Sequence, residues 1–258
     1  MTEASFGRYP SLEGMPVVIS GGASGIGEAL VRAFAGQGAK VGFVDIAREA
    51  GERLAEELNA AGGTVAFTPC DITDIPAYMA AIAGFADRHG AAGVLVNNAA
   101  NDQRHDWQEV DEAYWDSRVN VNLKHYFFAI KAVAPAMIAA RRGSIINFGS
   151  ISWMIMSPRL PVYEAAKAAA HGLTRGMARE LGPHGVRVNT LVPGWVMTQR
   201  QLDLWVDEVG NAAMDANQAL AGRVYPDDIA RMALFLAADD SRMVSAQNFV
   251  VDAGWANG

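Results

Sequence analysis

Short runs of β-branched and apolar residues recur along the whole chain, at 17–20, 40–44, 64–68, 93–97, 144–148, 186–192 and 248–251, with helical patterns between them. Ile26, Leu30, Ala33 and Phe34 repeat at helical spacing after the first run, and Leu54, Leu58 and Ala61 after the second. Strands that are apolar almost throughout must be covered on both faces, and intervening helices supply that cover when the sheet is parallel. The expected fold is α/β: one doubly wound parallel sheet with helices on both faces, in a single domain over 1–258. Residues 1–14 read as a loosely attached arm, and about 195–222 as an inserted helical flap. No linker, repeat or low-complexity tract interrupts the pattern.

Composition removes several function classes. The 258 residues carry 21 basic and 28 acidic side chains, a formal net charge of −7, without the clustered Lys and Arg that phosphate backbones require. Nucleic acid is not an expected partner. The longest apolar stretch, 132–140, is about half of the roughly 18 residues that a membrane span needs, so no membrane partner is expected either. The first ten residues include Glu3 and Arg8 and lack the apolar centre of a signal peptide, which makes cytoplasmic the expected location. The lone cysteine, Cys70, rules out an intrachain disulfide framework and reads as a small buried hydrophobe. His89, His105, His125, His171 and His184 show no metal-ligand spacing; they read mostly as surface or loop residues, with His105 nearest the expected site, and no metal is expected.

Ser20-Gly21-Gly22-Ala23-Ser24-Gly25-Ile26-Gly27 follows the first strand and opens the first helix. Glycines there allow a sharp turn and a close approach, and the helix N-terminus presents backbone amides to a pyrophosphate. Asp45 ends the second strand, where a carboxylate can accept hydrogen bonds from adenosine ribose hydroxyls and repel an extra phosphate. The same Asp could instead cap the helix that follows, and Arg48 three residues on could accommodate a 2′-phosphate without removing the charge of Asp45. NAD is favoured over NADP. In Tyr163-Glu-Ala-Ala-Lys167 the phenol and the ammonium fall one helical turn apart, where a positive charge can lower a phenol pKa of ~10 for acid/base work on an alcohol. Ser150 adds a hydroxyl at the end of the 144–148 strand.

These residues, with Asp71, Asn97-Asn98-Ala99-Ala100, Asn122 and Pro193-Gly194, resemble the ordered motif series of the short-chain dehydrogenase/reductase family over about 14–255. The resemblance implies a Rossmann fold and a nicotinamide cofactor. It implies Tyr163 as general base or acid, Lys167 binding the nicotinamide ribose and lowering the Tyr163 pKa, Ser150 orienting the reacting oxygen, and Asn122 holding a water in a proton relay. For the cofactor it implies Gly21, Ser24, Gly25, Ile26 and Gly27 around the pyrophosphate and Asp45 on the ribose. Asp71 and Ile72 would flank the adenine, Asn98 would lie along the adenosine side, and Val196 and Thr198 would stand at the nicotinamide end. Asn98 as a tie between strands and Thr198 as a helix cap are the competing readings. Ser20 replaces the usual Thr, and Ala100 the usual Gly. The family also implies a homotetramer, built through the helices near Leu123 and Tyr163. The small residues Ala165, Ala166, Ala168, Ala169 and Ala170 serve either that contact or packing against the sheet.

Asn101-Asp102-Gln103-Arg104-His105, Ser152-Trp153 and Thr198-Gln199-Arg200-Gln201 follow the carboxyl ends of strands, where open α/β sheets bind ligands. Their polar groups beside Trp153, Trp195 and Trp205 suit a hydroxyl-rich ring, with solvated loops and core tryptophans as the alternative. The same runs resemble bacterial aldose 1-dehydrogenases of the family. That resemblance implies oxidation of a sugar of the D-xylose, L-arabinose or L-fucose type at C1 to the aldonolactone, with Asn101, Asp102, Ser152, Trp153, Gln199 and Arg200 as substrate residues. The rival reading is a secondary alcohol on a 2-keto-3-deoxy sugar acid or other small polyol, with Arg104 or Arg200 pairing a carboxylate.

Overall fold

The computed structural model describes residues 6–256. Seven parallel strands form one sheet: β1 (Pro16–Ser20), β2 (Lys40–Asp45), β3 (Thr64–Pro69), β4 (Val94–Asn97), β5 (Gly143–Phe148), β6 (Val186–Pro193) and β7 (Asn248–Val251). Their order is β3-β2-β1-β4-β5-β6-β7. Every expected strand forms, with ends displaced by at most one residue. The helices are α1 (Gly25–Gly36), α2 (Arg48–Ala60), α3 (Ile75–His89), α4 (Glu112–Val119), α5 (His125–Ala140), α6 (Pro161–Leu181), α7 (Gln199–Leu204), α8 (Glu208–Asn217) and α9 (Pro226–Ala237).

Strand periodicity divides the core in two, because successive side chains leave opposite faces. Val17 and Ile19 of β1, Val41 and Phe43 of β2, and Val94 and Val96 of β4 join Leu30, Phe34, Leu54 and Leu234 of α1, α2 and α9. Val18, Val44 and Leu95 point the other way, among Tyr78, Phe85, Ile130, Met137 and Leu181 of α3, α5 and α6. Burying each large aliphatic side chain contributes roughly 1.5–3 kcal/mol, so the sheet is pinned from both faces. The chain reverses direction across the sheet between β1 and β4, and the crevice at their carboxyl ends is the place such folds offer a ligand.

Three expectations need correction. The segment expected as a loose arm is tied down from Phe6 onward. Leu12 is fully buried, Gln37 bonds Gly7 O and Tyr9 N at 2.9 Å each, and Arg8 reaches Gly36 O at 2.9 Å; residues 1–5 lie outside the described range. Cys70 is half-buried rather than buried, because β3 ends one residue earlier and the thiol lies along Asp71 O. His125 and His171 are buried helical residues, not surface or loop ones. Segment 195–222 carries α7 and α8, capped by Thr198 and Asp207. No helix of the described residues is long and apolar enough to cross a membrane.

Candidate active site

The strand-to-helix turn after β1 is steric in origin. Gly25 has φ +56°, a left-handed conformation that glycine adopts freely, and a Cβ there would press on Thr198 Cγ2 at 3.2 Å. A Cβ on Gly27 would collide with the carbonyl oxygen of Gly21. Side chains are thus excluded at Gly25 and Gly27 in the first turn of α1, whose leading amides have no intrahelical acceptor. Ser24, at the helix N-cap, makes no capping bond with its hydroxyl. Asp45 stands beside this turn. Its Oδ2 accepts from Ala23 N at 3.0 Å and its Oδ1 from Ala47 N at 2.9 Å, so the carboxylate shapes the loop and closes a short turn before α2, whose N-cap is Ala47. The cradle fits a dinucleotide pyrophosphate with a ribose near Asp45.

The other cofactor candidates divide. Ile26, Asn98, Val196 and Thr198 line the cleft. Asn98 does tie strands together: its amide nitrogen donates to Ser20 O at 3.0 Å and Gly21 O at 2.9 Å. The Ser20 hydroxyl, in the usual place of Thr, accepts from Asn98 N and Ala99 N at 3.1 Å each. Thr198 caps α7 by accepting from Gln201 N at 3.3 Å, as its competing reading held. Asp71 is engaged with Thr73 N at 2.8 Å and Thr73 Oγ1 at 2.7 Å, and the Ile72 side chain is buried in the core, which leaves its backbone for a ligand.

A cleft of about 940 Å³ opens beyond the carboxyl ends of β4, β5 and β6, and Ser150, Tyr163 and Lys167 meet on its wall. Pro161 starts α6, and the helical turn then places Nζ of Lys167 5.7 Å from the Tyr163 ring centre. Burial pushes the Tyr163 phenol well above its ordinary range, the charge of Asp102 adds to this, and Ser150 opposes it. Burial draws Lys167 down to about 7, against the attraction of Asp102. In both groups desolvation disfavours the charged form. Lys167, 1% exposed, donates to Tyr126 Oη at 2.8 Å and Phe148 O at 3.0 Å.

Asn122 lies behind this wall rather than on it. It sits in a π turn over Asn120–Lys124, and its Oδ1 accepts from Asn101 N at 2.8 Å. Its Nδ2 donates to Asn101 O at 3.1 Å and Arg118 O at 2.9 Å. The contact fixes the loop after β4, so Asn101 also serves that loop's backbone instead of the cleft. The loop's far end is held by His105, whose N bonds Arg159 O at 2.9 Å and whose Nε2 meets Val162 N at 3.4 Å. In this segment Met156 and Arg159 adopt φ +54° and +65°, a conformation costing about 1–2 kcal/mol per residue.

Of the substrate candidates, Asp102, Ser152 and Arg200 line the cleft. Asp102 accepts from Arg200 Nε at 3.1 Å and Gln201 Nε2 at 2.6 Å, and Gln201 in turn accepts from Trp195 Nε1 at 3.0 Å. The other three do not line it: Asn101 is held in the loop behind the wall, and two side chains point elsewhere. Trp153 turns away and packs edge-on against His171, centroids 5.1 Å apart, because the turn after Ser152 carries it to the outside. Gln199, on the outer face of α7, donates to Asp203 at 2.7 Å. Arg104 and Trp205, which the sequence pattern already set beside the substrate, line this wall. Arg104 lies over Trp205, its guanidinium carbon 4.1 Å from the ring centre. The Ser152 hydroxyl and Trp205 Nε1 are buried without a hydrogen-bond partner. Ile155, Ala213 and Asn217 close the cleft from loop and helix; their signal, an unremarkable helix far along the chain, is not readable locally.

A family model described as enoyl-(acyl carrier protein) reductase matches residues 21–256. The chain belongs to the short-chain dehydrogenase/reductase family. It is 47% identical, over 96% of its length and 98% of the other's, to a D-xylose 1-dehydrogenase of Caulobacter vibrioides. It is 43% identical, over 96% and 97%, to a probable galactose dehydrogenase of Rhizobium meliloti. Among solved structures, a 3-oxoacyl-[acyl-carrier protein] reductase of Brucella melitensis with bound NAD superposes with TM-score 0.88 and 32% identity, covering 100% of this chain and 99% of that one. A gluconate 5-dehydrogenase of Burkholderia cenocepacia in complex with NADP and tartrate gives TM-score 0.89 and 30% identity over 96% and 98%. The chain is an oxidoreductase that uses a nicotinamide cofactor.

Proposed function

We propose that the chain oxidises an aldose at C1 to the aldonolactone with NAD. The observation that carries this reading is the wall opposite Tyr163. A carboxylate held by two partners, a buried serine hydroxyl and an indole N–H without partners, and an arginine-faced tryptophan surround one cleft. A wall that combines a carboxylate, hydroxyl and N–H side chains and aromatic faces suits a ring bearing several hydroxyls. An acyl chain or a steroid would leave its polar groups unmet. The two relatives named for sugars support the same class, of the D-xylose, L-arabinose or L-fucose type.

Tyr163 takes the proton of the anomeric hydroxyl, and Ser150 donates to the reacting oxygen to hold it within reach. Lys167 adds its N–H to the nicotinamide end, and Asp45 favours a ribose bearing free hydroxyls over a 2′-phosphate. The nicotinamide group supplies the hydride acceptor when bound. A cytoplasmic homotetramer is part of the reading, supported by Trp115 and Phe127, which α4 and α5 leave 47% and 46% exposed. On α6, Ala166 and Ala170 are buried, while Ala165 and Ala169 face outward.

Arg104 supports the second reading, a secondary alcohol on a sugar acid, since its guanidinium faces the cleft beside Trp205. Arg200 supports it less, being occupied by Asp102. Carbon-13 NMR of the product from an aldose labelled at C1 separates them: a lactone carbonyl signal is expected, and a hemiacetal C1 left intact beside a new ketone would sink the aldose reading.

A further inference from the structure

Lys167 is buried, and a buried ammonium needs acceptors on its protein side. It has two, Tyr126 Oη at 2.8 Å and Phe148 O at 3.0 Å. The same Tyr126 hydroxyl donates its own proton to Phe148 O at 2.9 Å. Oη therefore has only lone pairs left for Nζ, and the direction of the bond is set: the phenol accepts and the ammonium donates. With two of three N–H groups fixed on this triangle, the third is left for the cleft that Lys167 lines. Tyr126 is itself fully buried on α5, so the triangle is held away from solvent.

We propose that Tyr126 is a positioning residue for the active-site lysine, holding Nζ of Lys167 in place, aiming its remaining N–H into the cleft and supporting its charged form. The proposal rests on the reading of Lys167 as the group at the nicotinamide end. The groups facing Lys167 are Tyr126 and His125 from α5, Tyr163 from α6 and Asp102 from the loop after β4, with Tyr78 of α3 beyond Tyr126. His125, drawn down to about 3 by burial and then by Lys167, adds no positive charge at neutral pH. Asp102 is the one anion that supports Nζ from across the cleft. Tyr126 is the neutral partner in direct contact.

The test is Tyr126→Phe, which removes one oxygen and keeps the ring. Competitive acetylation of Lys167 across pH, read by mass spectrometry on protein without cofactor, reports its ionisation whatever the substrate is. Losing one hydrogen bond to a charged donor should move that midpoint acidward by about one pH unit. In turnover the alkaline limb should move the same way and kcat should fall about tenfold at neutral pH, with KM for the sugar within about twofold. An unmoved acetylation midpoint overturns the proposal. A moved midpoint in a protein that turns over no aldose leaves Tyr126 in its role and removes the sugar reading instead. Should Tyr126→Phe not fold, Tyr126→Met carries the same expectation.

Discussion

Beside the cleft, at the carboxyl ends of β1 and β2, stands a surface built on backbone: the turn at Gly25 and Gly27, the leading amides of α1, and Asp45 bonded to Ala23 N and Ala47 N. On the side of α7 and α8 the cleft is walled by side chains drawn from distant segments, with Asp102 meeting Arg200 and Gln201 across nearly a hundred residues. The first surface is fixed by sterics and fits the nicotinamide cofactor that the family uses. The second is a set of exchangeable polar and aromatic groups on surface segments, and those are what a family varies while keeping its cofactor.

The contrast can be broken hardest at the backbone surface. Gly27→Ala drives a methyl group into the Gly21 carbonyl and should lower NAD affinity at least about 100-fold or prevent folding. Gly36→Ala at the other end of the same helix meets nothing within 4 Å and should leave binding unchanged while raising stability by about 0.5–1 kcal/mol. Fluorescence titration with NAD and thermal melts read both; equal effects at the two positions would contradict a steric origin for the cradle.

A middle-sized effect is expected at Asp102. Its negative charge raises the pKa of both Tyr163 and Lys167. Asp102→Asn should therefore ease formation of the phenolate and loss of the lysine charge together, moving both limbs of the kcat profile to lower pH. A profile that shifts alkaline, or only loses height, would show that Asp102 does not act through this pair.

The smallest effects belong to residues that the sequence pattern places in the site and the structure does not. Trp153→Ala and Gln199→Ala should change KM for the sugar less than about twofold, since one side chain packs on His171 and the other bonds Asp203. A several-fold rise in either would return that residue to the substrate wall.

Legibility in the sequence follows the same division. The strands, the glycine turn and the Tyr163–Lys167 spacing depend on local periodicity and local sterics, so they can be read from a few residues at a time. Asn122 was visible as a residue and not as a clamp, because its partners Asn101 and Arg118 are set by a π turn that no local pattern announces. Tyr126 carried no signal, since a tyrosine on an apolar helix looks like core until its hydroxyl is seen on Lys167. Trp153 and Trp205 read alike along the chain; only the turn after Ser152 and the stacking of Arg104 send one outward and the other to the cleft.

The most direct test of the account is NADH formation by the purified protein across a panel of aldoses and 2-keto-3-deoxy sugar acids, with Tyr163→Phe as the control. The account predicts that an aldose gives the highest kcat/KM and that the substitution lowers it by roughly a hundredfold or more. Turnover confined to the sugar acids, or an aldose activity that survives Tyr163→Phe, would contradict it.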